Sequence, residues 1–192
     1  RDSIITTANY IDANGFYHVV LAFDTTQGTA SDRMKLYING NQVTNFSTIN
    51  YPSQNENLPF MLTTQPFEIG RHSYPHVGQT GSYYSGYMSH IHFCDGYQYQ
   101  ASDFGSTDST TGEWKINTSP SVSYGTNGFW ILKDGNAVTD SSPNSNNFSV
   151  SAGNLTDVKD CPSMVMATMN PLYKFSSTMN LSNGNLSLTG VG

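Results

Sequence analysis

A chain of 192 residues with 36% hydrophobic and 12% aromatic residues can bury a core, yet only 11% of it is charged, against about a quarter in an average domain. The net charge of −6 comes with 8 Lys and Arg in all, too few to cluster against a phosphate backbone, so nucleic acid and anionic membranes are poor partners. Asn, Ser, Thr, Gly and Tyr take the polar positions, which favours strands and turns over long helices. No apolar run approaches the roughly 18 residues of a membrane-spanning helix, so no membrane insertion is expected.

In chain order, the first strong signal is YHVVLAF at 17–23. Tyr17, Val19, Leu21 and Phe23 alternate with His18, Val20 and Ala22, and both faces are largely apolar, as in a buried strand. RMKLYI at 33–38 alternates more cleanly: Met34, Leu36 and Ile38 are expected to face the core, with Arg33, Lys35 and Tyr37 outside. Asn39-Gly40 follows. That dipeptide accepts the positive φ angles of a type I′ turn, so 33–38 should pair with a strand starting near Asn41.

Residues 45–57 are polar and contain a proline, which reads as a loop; LPFML at 58–62 and FEIG at 67–70 read as short strands. RHSYPHVGQTGSYYS at 71–85 reads as a long loop, and 86–93 as a strand closed by Asp95-Gly96. Residues 97–112 are polar. Trp114 and GFWIL at 128–132 mark further buried strands, 134–163 is rich in Asn, Ser, Asp and Gly, and the apolar run 164–173 stops at Asn-Pro, which resists helix. The tail alternates weakly around Leu181, Leu186 and Leu188. Two cysteines, Cys94 and Cys161, are too few for a disulfide scaffold, and their pairing stays open. The ends, RDSII and SLTGVG, are those expected of a segment of a longer polypeptide.

Short strands separated by turn signals predict an all-β sandwich or barrel. The run GFYHVVLAFDTT, a loop, then DRMKLYINGNQV is similar to the middle of a laminin-G-like, concanavalin A-like jelly roll, with Tyr17 where Trp is usual. FEIG and GYMSHIHFCDG resemble later strands of that fold. FCDGYQYQASDFGSTDSTTGEWKI, YGTNGFWILKD, SPNSNNFSVSAGNLTDVKDCPS, ATMNPL and LSNGNLSLTG, in that order, resemble a family of virion proteins of marine bacteriophages, usually taken as tail, fibre or decoration proteins. The resemblance departs at SPNSNNF, residues 142–148, where Pro143 fixes φ in a loop that is usually richer in Gly.

The resemblance implies an antiparallel jelly-roll β-sandwich over 1–135 that lacks its first strand or strands, an irregular Asn/Ser-rich extension over 136–173, and a connector or following module from 174 to 192. It also implies a structural role on a phage particle assembled in the bacterial cytoplasm: other virion subunits as partners, a homo-oligomer, and host adhesion. A lectin-like module that binds a host surface glycan is the alternative.

The candidate residues follow from this frame. On a regular strand His90 and His92 share a face with Met88, while Ile91 and Phe93 point to the core. Two imidazoles fall short of the three or four ligands that a metal needs, and His72 and His76 supply no fixed third; a polar or inter-subunit face is the favoured reading. Cys94 reads as a structural thiol. Asp140, Asn144 and Asn146 present oxygens at alternate positions, as calcium loops do, but lack the further carboxylates; an Asx-turn loop is favoured, with calcium as the alternative and no cofactor expected.

Some jelly rolls cleave β-glucans, and the glycanase reading needs two carboxylates about 5–5.5 Å apart on one strand. Glu56, Glu68 and Glu113 do not form that pattern, and Asp103, Asp108, Asp157 and Asp160 sit among turn residues, so no enzyme is expected. Tyr83, Tyr84, Tyr87, Tyr97 and Tyr99 are the candidate contact residues, because tyrosine offers a flat apolar ring and a hydroxyl at low entropic cost.

Overall fold

A computed structural model of the chain describes residues 3–12, 15–58, 67–74, 79–133, 135, 137–151, 153–158, 179–182 and 187–190. The strand expected over 59–62, the run 164–173, and His76, Asp160 and Cys161 lie outside these.

The chain is all-β, with strands that pair antiparallel in several small sheets and one single-turn helix. β1 (Ser3–Thr6) pairs with β5 (Phe46–Asn50); β2 (Val19–Phe23) pairs with β3 (Met34–Ile38), which turns into β4 (Asn41–Gln42). Between β2 and β3 lies the helical turn α1 (Ala30–Arg33), where Asp32 meets Lys35 at 2.9 Å. β6 (Arg71–Tyr74) pairs with β7 (Gln79–Tyr83), and β8 (Ile91–Phe93) with β11 (Phe129–Ile131). A 3-10 turn at Ala101–Asp103 leads into β9 (Gly105–Thr107), which pairs with β10 (Trp114–Ile116). β12 (Asn180–Ser182) and β13 (Ser187–Thr189) form a last pair.

The hairpin at Asn39-Gly40 forms as its chemistry requires: φ is 46° at Asn39 and 81° at Gly40, the positive pair that a type I′ turn needs. The register sets Val19 opposite Ile38, Leu21 opposite Leu36 and Phe23 opposite Met34, so these six side chains share one face. The other face carries Val20, Ala22 and Tyr37. This second face holds the better-buried core: Ala22 and Tyr37 pack with Ala101, joined by Val20 and Trp114. Tyr37 was expected outside, yet it is buried, while Leu36 and Ile38 are only half-buried. Alternation separates two faces but does not say which one a distant element will cover, and here the 3-10 turn and β10 cover the tyrosine.

The second core builds on β8 and β11. Phe129, Ile131 and Leu132 are buried, with Ile69, Ile91, Phe93, Val138 and Phe148 packed against them. Three departures from expectation concern strand limits. The 71–85 loop contains the β6–β7 pair, and 45–57 contains β5, paired in each case across the sheet rather than announced by apolar runs. FEIG is not a strand: Gly70 adopts φ 76° and redirects the chain into β6. The strand expected over 86–93 is only Ile91–Phe93, because His90 takes φ 50°, a left-handed conformation that ends extended pairing.

Candidate binding groove

A groove of about 1750 Å³ is lined by β2, by 84 and 87–94, by 96–99 and by β10. Of the five candidate tyrosines, Tyr84, Tyr87, Tyr97 and Tyr99 line it. Tyr97 and Tyr99 stack with centroids 5.7 Å apart and planes at 18°. Tyr99 is anchored, since its hydroxyl accepts the Ser123 N–H at 2.8 Å. Tyr84, Tyr87 and Tyr97 are exposed, and the Tyr84 hydroxyl donates to the Tyr87 carbonyl at 3.2 Å. Tyr83 is not part of the lining; it lies under the Arg71 guanidinium, 5.9 Å from the ring centre.

Sequence reading missed Trp114 and His18 as groove residues. The Trp114 indole N–H donates to His18 Nδ1 at 3.0 Å, so that nitrogen carries no proton and the ring proton sits on Nε2. The His18 backbone N–H in turn donates to Asn39 Oδ1 at 2.8 Å, tying it to the hairpin turn. No local signal announces a pair so far apart in sequence.

The two histidines of YMSHIHFCDG do not form a ligand pair on one regular face. His90 lies before the strand, with Nδ1 2.7 Å from Ser89 Oγ. His92 belongs to an aromatic cluster: its centroid is 5.0 Å from Trp130, 5.3 Å from Phe104 and 6.0 Å from Tyr124, whose hydroxyl meets Nδ1 at 2.9 Å. Burial, then the nearby His90 and His18 rings, push His92 down to about 3; burial also lowers His18. Both therefore stay neutral at pH 7. Tyr124 is pushed up, chiefly by burial, and remains protonated.

Burial likewise raises the Cys94 thiol to about 11, which leaves almost no thiolate, the nucleophilic form, near neutrality. The charged lining is limited to Asp24, Glu56, Glu113 and Lys115. The groove thus presents aromatic rings, amides and neutral imidazoles, a surface suited to contact.

Asp140, Asn144 and Asn146 sit elsewhere and are used internally. Asp140 Oδ1 accepts the N–H groups of Trp130 and Ser142, each at 2.8 Å, and Oδ2 accepts Ser142 Oγ at 2.7 Å and Asn146 N–H at 2.8 Å. Burial alone would raise this carboxyl, but the hydrogen bonds outweigh it and hold it below the usual range. Asn144 and Asn146 turn their amide nitrogens onto the Gly128 carbonyl, both at 2.9 Å. The loop laces 140–147 to 125–130, and a cation at Asp140 would have to displace four donors. Among the described residues no group of three or more His, Cys, Asp or Glu is placed to hold a metal ion, and no helix is long and apolar enough to cross a membrane.

Asp108 pairs with Lys115 at 2.5 Å, and Asp103 accepts the Gln100 N–H at 2.7 Å, so each serves its own turn. No protein-family model matches the chain, and neither a curated protein nor a solved structure matches it.

Proposed function

We propose that this chain is a non-enzymatic module of a phage virion protein, a jelly-roll β-sandwich segment of a tail, fibre or surface-decoration component. In this reading it is made in the bacterial cytoplasm, joins other virion subunits in a homo-oligomer, and serves assembly or host adhesion. The virion assignment rests on the ordered sequence resemblance over 93–190. The observation that carries the contact role is the groove itself: exposed Tyr84, Tyr87 and Tyr97 beside the Trp114–His18 pair, with few charges. Aromatic residues of this kind are enriched where proteins meet, and charged ones are depleted there. A map of the intact particle tests the proposal; density of a neighbouring subunit or receptor in the groove is expected, and a groove open to solvent in every copy would overturn it.

A second reading, a lectin-like module for a host glycan, is favoured by one observation, the stacked Tyr97–Tyr99 pair beside the groove. Sugar rings stack on such faces, and tyrosine hydroxyls meet sugar hydroxyls. A glycan array separates the two: selective micromolar binding that is lost in Tyr97→Ala supports the lectin, and silence supports the assembly role.

A further inference from the structure

We propose that the groove is a strand-addition site, in which an extended segment of a partner polypeptide pairs with the open edge of β2 and lies against β8. The inference rests on the assembly reading above and names its partner.

Backbone accounting leads to it. The His18 carbonyl accepts the Asn39 N–H at 2.9 Å, and the Asp24 N–H donates to the Arg33 carbonyl at 2.9 Å. Paired residues in an antiparallel ladder recur at every second position. His18, Val20, Ala22 and Asp24 therefore turn their backbone groups toward β3, and Val19 and Leu21 turn theirs outward. Among the described residues no strand pairs with that outer edge, since β2 ends its sheet.

β8 repeats the arrangement. The Trp130 N–H donates to Asp140 Oδ1 at 2.8 Å, and its carbonyl accepts the Ser141 N–H at 2.7 Å. Both Trp130 groups thus face away from β8. The bonded pairs between the two strands are Ile91–Ile131 and Phe93–Phe129, and His92 turns its own N–H and carbonyl away from β11. β2 and β8 are not paired with each other, yet both line the same groove. After burial and His90, His18 on β2's side contributes to the lowered His92, so the two edges stand within electrostatic reach.

An open edge is a template for another chain. Its donors and acceptors recur about every 7 Å along the strand, a repeat that an extended peptide matches and a sugar chain does not. The side chains state the guest's chemistry. Val19 and Leu21 are 57% and 51% exposed, so guest residues beside them are apolar. Those between lie next to Val20 and Ala22 and are small and uncharged. Every described strand of this chain is already paired in its own sheet. A second copy would have to open a hairpin to donate one, so the guest comes from a different polypeptide.

Amide hydrogen exchange on the 192-residue chain tests this with the blocked octapeptide Thr-Val-Thr-Val-Thr-Val-Thr-Val as probe. The expected result is that the Leu21 and His92 amides slow at least about tenfold when the peptide is added. The same peptide N-methylated at each Val keeps the side chains but loses the pairing donors, and should leave them unchanged. Val19→Pro removes one outward donor at an edge position where proline is tolerated; it should weaken the peptide about tenfold with the fold retained by circular dichroism. Three results would overturn strand addition: equal protection by the N-methylated peptide, no protection by either, or amides already protected in the free protein at every dilution. Protection that appears without peptide and grows with protein concentration would overturn the choice of source in favour of a second copy. A particle map with a subunit in the groove, together with unprotected amides, would leave the assembly reading standing and strand addition refuted.

Discussion

The six-membered ring of Trp114 lies over Gly40: a Cβ on that glycine would overlap the indole. The turn residue is thus required twice, by its φ of 81° and by the ring that covers it. Gly40→Ala should destabilise the protein by roughly 2 kcal/mol or more, from left-handed strain and overpacking together. Gly28 has neither a positive φ nor any atom near its Cβ position, so Gly28→Ala should change stability by no more than about 0.5 kcal/mol. Urea unfolding of both variants checks the contrast, and equal effects would mean that Trp114 does not hold the turn.

Stability should fall as pH is lowered from about 6.5, the ordinary histidine value, toward the His92 value of about 3. The sign follows from linkage. In that window the unfolded chain binds a proton that folded His92 refuses, so acid favours unfolding, and above the window His92 adds no slope. His18 acts in the same direction. His92→Phe keeps the aromatic packing and removes the titrating group. It should lose about 1 kcal/mol at pH 7 with the Tyr124 hydrogen bond, and its urea midpoint should depend less on pH between about 6.5 and 4.5 than that of the native chain. Staying above about 4.5 keeps the carboxylates, whose ordinary values lie near 4, out of the comparison.

Asp140→Ala should cost about 3 kcal/mol or more, because it strands the N–H groups of Trp130, Ser142 and Asn146 in a largely buried loop. Asp140→Asn, which keeps the shape but turns one acceptor into a donor, should cost less, roughly 1–2 kcal/mol. Since all four acceptor positions of the carboxylate are engaged, millimolar calcium should move the melting temperature by less than about 1 °C. Thermal unfolding of the three proteins, with and without calcium, decides it; a clear calcium shift lost in Asp140→Ala would restore the cation reading.

How far the sequence foretold these results depends on the range of each interaction. The Asn39-Gly40 turn and the β2–β3 pairing were readable because their determinants are local: two positive-φ residues flanked by alternating apolar ones. The covered face of β3 was not, because Tyr37 is buried by Ala101 and Trp114, far along the chain. His90 and His92 looked equivalent by spacing, but a single left-handed residue broke the period. The four groove tyrosines were found by residue type. The Trp114–His18 pair and the Tyr124–His92 contact were not, since nothing near either histidine announces its partner. β6 and β7 escaped because their residues, rich in Gly, Ser and Tyr, carry turn chemistry.

Cys94 offers a last test of the groove's chemistry. It follows β8 within the lining and is half-buried, and burial raises its thiol to about 11. Only the thiolate attacks alkylating reagents, and at pH 8 a thiol with that value is ionised to about one part in a thousand, against roughly a quarter for a free cysteine. Iodoacetamide should therefore label Cys94 more than about a hundredfold more slowly in the folded protein than in urea. Mass spectrometry of the Cys94 peptide measures it without interference from Cys161. A folded-state rate close to that in urea would show that the thiol is solvated and ionised, and the neutral character argued for this side of the groove would then be wrong.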